Sequence, residues 1–140
     1  MKTVYKTNSP EETEALGFDM GSRLRSGQVL AMTGDLAAGK TTFLRGLAHG
    51  MGLADDVTSP TFAIVHEYRE GKLPLFHFDM YRLGSSEELF DIGWEDYLRE
   101  GGVCAVEWSE NVADAMPADA IRIDLRVTGD NSREITVTEA

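Results

Sequence analysis

The chain has 140 residues, 42% of them apolar, which is enough for one core and too little for a string of domains. Its formal net charge of −11 at pH 7 excludes a protein that grips nucleic acid through its own basic surface, since that grip depends on Lys and Arg neutralising phosphates. One cysteine, Cys104, excludes a disulfide framework, and its place in an apolar run predicts a buried, inert thiol.

Residues 1–6 lack the apolar run of a signal peptide, and no segment approaches the roughly 20 apolar residues of a membrane span, so a cytosolic protein is expected. Residues 3–7 read as a short edge strand. Ser9-Pro10-Glu11-Glu12 then marks a helix start, with Ser9 as N-cap, Pro10 at the first helical position and Glu12 closing a capping box. The helix is predicted to run to about Arg25. Leu16, Met20 and Leu24 form its apolar stripe, and Gly17 and Gly21 suit a close approach to a neighbouring backbone.

The most informative stretch follows. Gln28-Val29-Leu30-Ala31-Met32-Thr33 fits a buried strand, and Phe43, Leu44, Leu47 and Met51 recur at helical spacing. Between them Gly34-Asp35-Leu36-Ala37-Ala38-Gly39-Lys40-Thr41-Thr42 matches G-x-x-x-x-G-K-[ST]. Strand, glycine loop and helix in that order make a phosphate-binding loop. The glycines let backbone wrap the phosphates, the helix N-terminus adds N–H groups and a positive dipole end, Lys40 adds a mobile cation, and Thr41 offers a hydroxyl to Mg²⁺. An ordinary Gly-rich turn is the bland alternative, and the flanking elements argue against it.

Beyond Gly52, residues 55–61 are a polar connection and a candidate switch loop. Residues 62–69 and 73–81, joined by Arg69-Glu70-Gly71-Lys72, read as an antiparallel hairpin. Two short helices follow, at 85–92 and 94–99. Val103-Cys104-Ala105-Val106 is the pattern of a strand buried on both faces of a parallel sheet, ending in Glu107-Trp108. Alternating apolar residues from Ile121 to Val127 and at Ile135 and Val137 predict a terminal hairpin, half exposed.

A phosphate loop with Mg²⁺ needs a strand-end carboxylate to orient the metal's water shell or polarise a nucleophile. Glu107 and Asp79 are the two candidates, and the residues alone leave open which holds the metal and which positions water. Asp79 ends Leu75-Phe76-His77-Phe78, whose alternation predicts a less buried position than that of Glu107. His77 shares a strand face with Asp79 and suits either a bond to that carboxylate or a purely structural role. Trp108 either covers the site or fills core.

Gly34-Asp35-Leu36-Ala37-Ala38-Gly39-Lys40-Thr41-Thr42, Ser59-Pro60-Thr61-Phe62, His77-Phe78-Asp79-Met80-Tyr81-Arg82-Leu83 and Val106-Glu107-Trp108-Ser109-Glu110 together resemble, in order and spacing, the TsaE (YjeE) family of bacterial P-loop ATPases. The resemblance covers nearly the whole chain. It implies a single α/β domain of the P-loop NTPase-like three-layer kind, with a largely parallel sheet extended by antiparallel hairpins. It also implies a weakly hydrolysing ATPase with ATP and Mg²⁺ as ligands. The implied task is threonylcarbamoylation of adenosine 37 in tRNAs reading ANN codons, with TsaB and TsaD as partners and tRNA met only through the complex. By the same resemblance Lys40 holds phosphates, Thr41 and Glu107 hold Mg²⁺, Asp79 assists hydrolysis, and the loop around Glu12 lies near the adenine. Ala37 stands where the family usually has glycine, and Met80 where leucine is usual. The alternatives are a small P-loop kinase, which needs a lid of arginines that is absent here, and a non-catalytic nucleotide-gated adaptor, which has no use for Asp79 and Glu107 together. A GTPase lacks its Asn-Lys-x-Asp segment.

Overall fold

The uninterrupted apolar run ending at Glu107 lies at the heart of a sheet, because a strand with no polar side has to be covered on both faces. The computed structural model describes residues 1–34, 38–54 and 64–139. Its elements are β1 (Lys2–Thr7), α1 (Pro10–Gly21), β2 (Val29–Gly34), α2 (Lys40–Gly50), β3 (Val65–Tyr68), β4 (Leu75–Asp79), α3 (Ser86–Asp91), α4 (Trp94–Arg99), β5 (Val103–Glu107), a 3-10 stretch (Ser109–Ala115), β6 (Ile121–Val127) and β7 (Arg133–Thr138). One seven-stranded sheet orders them β1-β7-β6-β2-β5-β4-β3. The central β6, β2, β5 and β4 are parallel, and β1–β7, β6–β7 and β3–β4 are antiparallel. This is the predicted largely parallel sheet with antiparallel extensions.

Period-two alternation sorts the strand residues onto two covered faces. Leu30, Met32, Val103 and Ala105 pack with Met20 of α1 and with Phe43, Leu44 and Leu47 of α2. Ala31, Phe76, Phe78, Cys104 and Val106 pack with Leu89 of α3, Trp94 of α4 and Val112 of the 3-10 stretch. Helices on both faces give three layers. Burial pushes the Cys104 thiol up to about 12, as expected of an inert cysteine.

Ser9 caps α1 as its sequence requires, accepting from Glu12 N at 3.1 Å. The return bond differs by one residue: Glu12 Oε1 accepts from Asn8 N at 2.9 Å. The helix also ends at Gly21, short of the predicted Arg25. Ser22 turns its hydroxyl back to Asp19 O at 2.7 Å and closes the helix, while Leu24 reaches the core from the following turn.

Glycines let α1 and α2 cross almost backbone to backbone. A Cβ on Gly17 or Gly21 of α1 would stand 2.2 Å from Phe43 O or 2.1 Å from Leu47 O, and one on Gly46 or Gly50 of α2 would stand 2.0 Å from Glu14 O or 2.1 Å from Phe18 O. Four interlocking positions leave no room for a methyl group. Gly46→Ala is therefore expected to lower stability by about 1–3 kcal/mol through overpacking, although the same change on an open helix raises it by roughly 1 kcal/mol. Denaturant melts give the sign, and a stabilised Gly46→Ala protein would contradict the packing described.

The predicted hairpin exists as β3 and β4, and Asp79 at the end of β4 is less buried than Glu107, as the alternation suggested. Leu75, Phe76, His77 and Phe78 are all fully buried, because β4 lies inside the sheet between β3 and β5. The outer place belongs to β3.

Candidate functional site

β2 is flanked by β5 on one side and β6 on the other, so the chain leaving β5 must pass β2 to reach β6. The crevice outside the carboxyl ends of such strands is where open α/β sheets take their ligands. Gly34 ends β2 with φ 142°, and a Cβ there would meet Leu125 O at 2.4 Å. Gly39, at φ 91°, is the N-cap of α2 and brings no side-chain acceptor, and the first turn of α2 holds no acidic residue. A helix start without either is open to an external anion. Ala38 between the glycines is fully buried.

Lys40 is only 6% exposed, yet no carboxylate pairs with it among the described residues. Its Nζ donates to Gly34 O at 3.0 Å and lies 4.2 Å from the centroid of the Trp108 ring. Trp108 reaches that position because its own backbone is left-handed, φ 57°, the one non-glycine residue with positive φ among those described. Such a conformation costs on the order of 1–2 kcal/mol and turns the chain sharply just after Glu107. Its ring also packs on Tyr81, centroids 5.0 Å apart. Trp108 thus lies beside Lys40 while its half-buried ring also rests on the core cluster around Phe78 and Val106.

The two candidate carboxylates meet at the ends of adjacent strands. Glu107 closes β5 and Asp79 closes β4, directly paired in register, and Glu107 is also paired with Met32 of β2. Glu107 follows Val103 and Ala105 on the α2 side of the sheet, the side of Lys40. It is 4% exposed and accepts a short hydrogen bond from His77 Nε2. The histidine thus serves Glu107, not Asp79 as its position two residues before Asp79 had suggested. Asp79 is half-buried, and its Oδ1 accepts from Tyr81 N at 3.0 Å in an Asx-type turn. Around it Met80 N donates to Glu107 O at 3.0 Å, Asn111 Nδ2 to Met80 O at 2.9 Å, and Ser109 Oγ to Met32 O at 3.2 Å. These bonds lock together the loops carrying both acids.

The start of α1 lies beside the same loop. Pro10, Thr13, Gly39, Thr42, Asn131 and Arg133 line one small cleft. Glu12 itself is exposed and engaged in the helix cap, so its neighbour Thr13, not Glu12, faces Gly39. Thr41 and Thr42 are half-buried in the first turn of α2. Asp35, Leu36 and Ala37, together with the switch-loop candidate at 55–61 and the Ser59-Pro60-Thr61-Phe62 motif, lie outside the described residues.

The family model described as threonylcarbamoyl adenosine biosynthesis protein TsaE matches residues 7–135. The chain belongs to the TsaE family. It is 42% identical to the tRNA threonylcarbamoyladenosine biosynthesis protein TsaE of Bacillus subtilis strain 168, over 96% of this chain and 84% of that one. The protein of the same name from Treponema pallidum strain Nichols is 45% identical over 94% of this chain and 96% of its own. Among solved structures, the crystal structure of Bacillus subtilis YdiB superposes with a TM-score of 0.83 at 37% identity, over 99% of this chain and 86% of that chain.

Within this TsaE-family chain, sequence reasoning missed Asn131 and Arg133 beside the glycine loop, and the pairing of His77 with Glu107. Neither had a local signal. Asn131 comes from the β6–β7 turn and Arg133 from the first position of β7, and both reach the loop only because β6 inserts next to β2. No helix among the described residues is long and apolar enough to cross a membrane.

Proposed function

We propose that this chain serves tRNA threonylcarbamoyladenosine biosynthesis as a Mg²⁺-dependent ATPase working with TsaB and TsaD. One observation carries the reading: a nearly buried lysine at an uncapped helix start faces the same crevice as a buried strand-end glutamate. Lys40 and the N–H groups of the first turn of α2 bind the β- and γ-phosphates, and Trp108 closes one wall around the lysine. The donor set fits Mg²⁺ and not a fully caged metal. Among the described residues no three His, Cys, Asp or Glu groups converge, and Mg²⁺ typically uses one or two carboxylates plus phosphate oxygens and water. Thr41 and Glu107 are the groups that hold it; when bound it offsets charge on the phosphates. Asp79, fixed by its turn, orients the attacking water.

Hydrolysis of ATP by the chain with and without TsaB and TsaD, at varied Mg²⁺, tests this. A Mg²⁺-dependent rate that rises with the partners is expected, and no Mg²⁺-dependent hydrolysis in either mixture would overturn the reading. The chain alone is expected to show no salt-dependent affinity for tRNA, since a net charge of −11 leaves few cations to displace condensed counterions. Tight binding in a filter assay, weakening steeply with salt, would move the tRNA contact onto this chain.

A further inference from the structure

His77 is fully buried in the middle of β4, a position where its neighbours Leu75, Phe76 and Phe78 are all apolar. Its Nε2 faces Glu107 Oε2 within hydrogen-bond reach, and its Nδ1 is buried with no hydrogen-bond partner among the described residues. A carboxylate only accepts, so the ring nitrogen facing it carries the hydrogen. Burying a ring nitrogen without a partner is unfavourable, and an apolar side chain would fill the same space without that cost. The histidine makes sense here through its one bond.

That bond decides how Glu107 is presented. Glu107 has two carboxylate oxygens and a flexible side chain, and on β5 it is followed at once by the left-handed turn at Trp108. With Oε2 held by a ring that cannot itself move inside β4, the side chain has one orientation and Oε1 is left for the crevice. We infer that His77 is a positioning residue, which holds the Glu107 carboxylate in the orientation that takes up a divalent cation. The inference rests on the proposed role of Glu107, and deepens it. A ligating carboxylate is normally hydrogen-bonded from behind, and loss of such an outer partner typically weakens metal binding by about 10–100-fold.

The test compares His77→Phe, which keeps a ring but no donor, with His77→Gln, whose amide restores a donor near the Nε2 position. Mn²⁺ binding to the ATP complex is followed by paramagnetic resonance, and ATP binding without metal by calorimetry. His77→Phe is expected to weaken Mn²⁺ by about tenfold or more with metal-free ATP affinity unchanged, and His77→Gln to recover most of the loss. Should His77→Phe not fold, His77→Met replaces it in the same comparison. Wild-type Mn²⁺ affinity in the donor-less variant, or equal loss of Mn²⁺ and metal-free ATP affinity, would overturn the inference. Glu107→Gln, measured in parallel, separates the two claims. If it loses Mn²⁺ while the donor-less His77 variant does not, only the positioning role falls; if it too keeps wild-type affinity, the metal role of Glu107 and the inference fall together.

Discussion

Glu107→Gln is expected to lower ATP hydrolysis by on the order of a hundredfold or more while ATP still binds. The change keeps the shape of the side chain and its ability to accept from His77 Nε2, but removes the charge that a cation at the end of β5 requires. Losing one preorganised electrostatic group commonly costs about 3–4 kcal/mol in the transition state. In the proposed reading ATP itself is held elsewhere, by Lys40 and the start of α2. Trp108 supplies an optical readout, because its ring sits against Lys40 Nζ immediately after Glu107. Trp94, the other tryptophan, is 1% exposed and packs on Phe78 in the cluster against which Trp108 also rests, so the measurement belongs in a Trp94→Phe background. The Mg²⁺-dependent part of the fluorescence change should vanish in Glu107→Gln. If that part and hydrolysis both survive there but vanish in Asp79→Asn, the two carboxylates have each other's roles.

Lys40→Ala is expected to weaken ATP binding by about 10–100-fold, the range that corresponds to the 1.5–3 kcal/mol of one charge-assisted contact. The lysine is 6% exposed and rests between a carbonyl and an aromatic face, neither of which needs a full positive charge to be satisfied. Little in the fold depends on it, so the loss should appear in calorimetric titrations with ATP and hardly in the thermal midpoint. Unchanged affinity for ATP with Mg²⁺ would remove the phosphate-loop assignment.

The parts of this protein that were legible in its sequence are those whose cause is local. An apolar run with no alternation at 103–106 can only be a two-sided strand, Ser9-Pro10 can only begin a helix cheaply, and glycines at 34 and 39 are needed where the backbone takes φ 142° and 91°. Glycines four apart at 17 and 21 also pointed correctly to a close crossing, though not to the matching pair at 46 and 50. What was not legible depends on register between distant segments. His77 lies opposite Ala105 across the β4–β5 ladder, and only that pairing brings its Nε2 to Glu107. The interior place of β4 was likewise hidden, because it depends on β3 and β5 pairing with it on either side. The stop of α1 at Gly21 turned on a hydroxyl, Ser22 Oγ, competing for a helix carbonyl, which composition does not announce.

The most direct test of the central claim, that this crevice binds and hydrolyses ATP in the service of tRNA modification, is reconstitution. TsaB, TsaD, tRNA and threonylcarbamoyl-adenylate are mixed with this protein, with its Lys40→Ala variant or with neither, and modified tRNA is counted over many turnovers in the presence of ATP and Mg²⁺. Sustained turnover only with the unaltered protein is the predicted result. Equal yields in all three mixtures would contradict it.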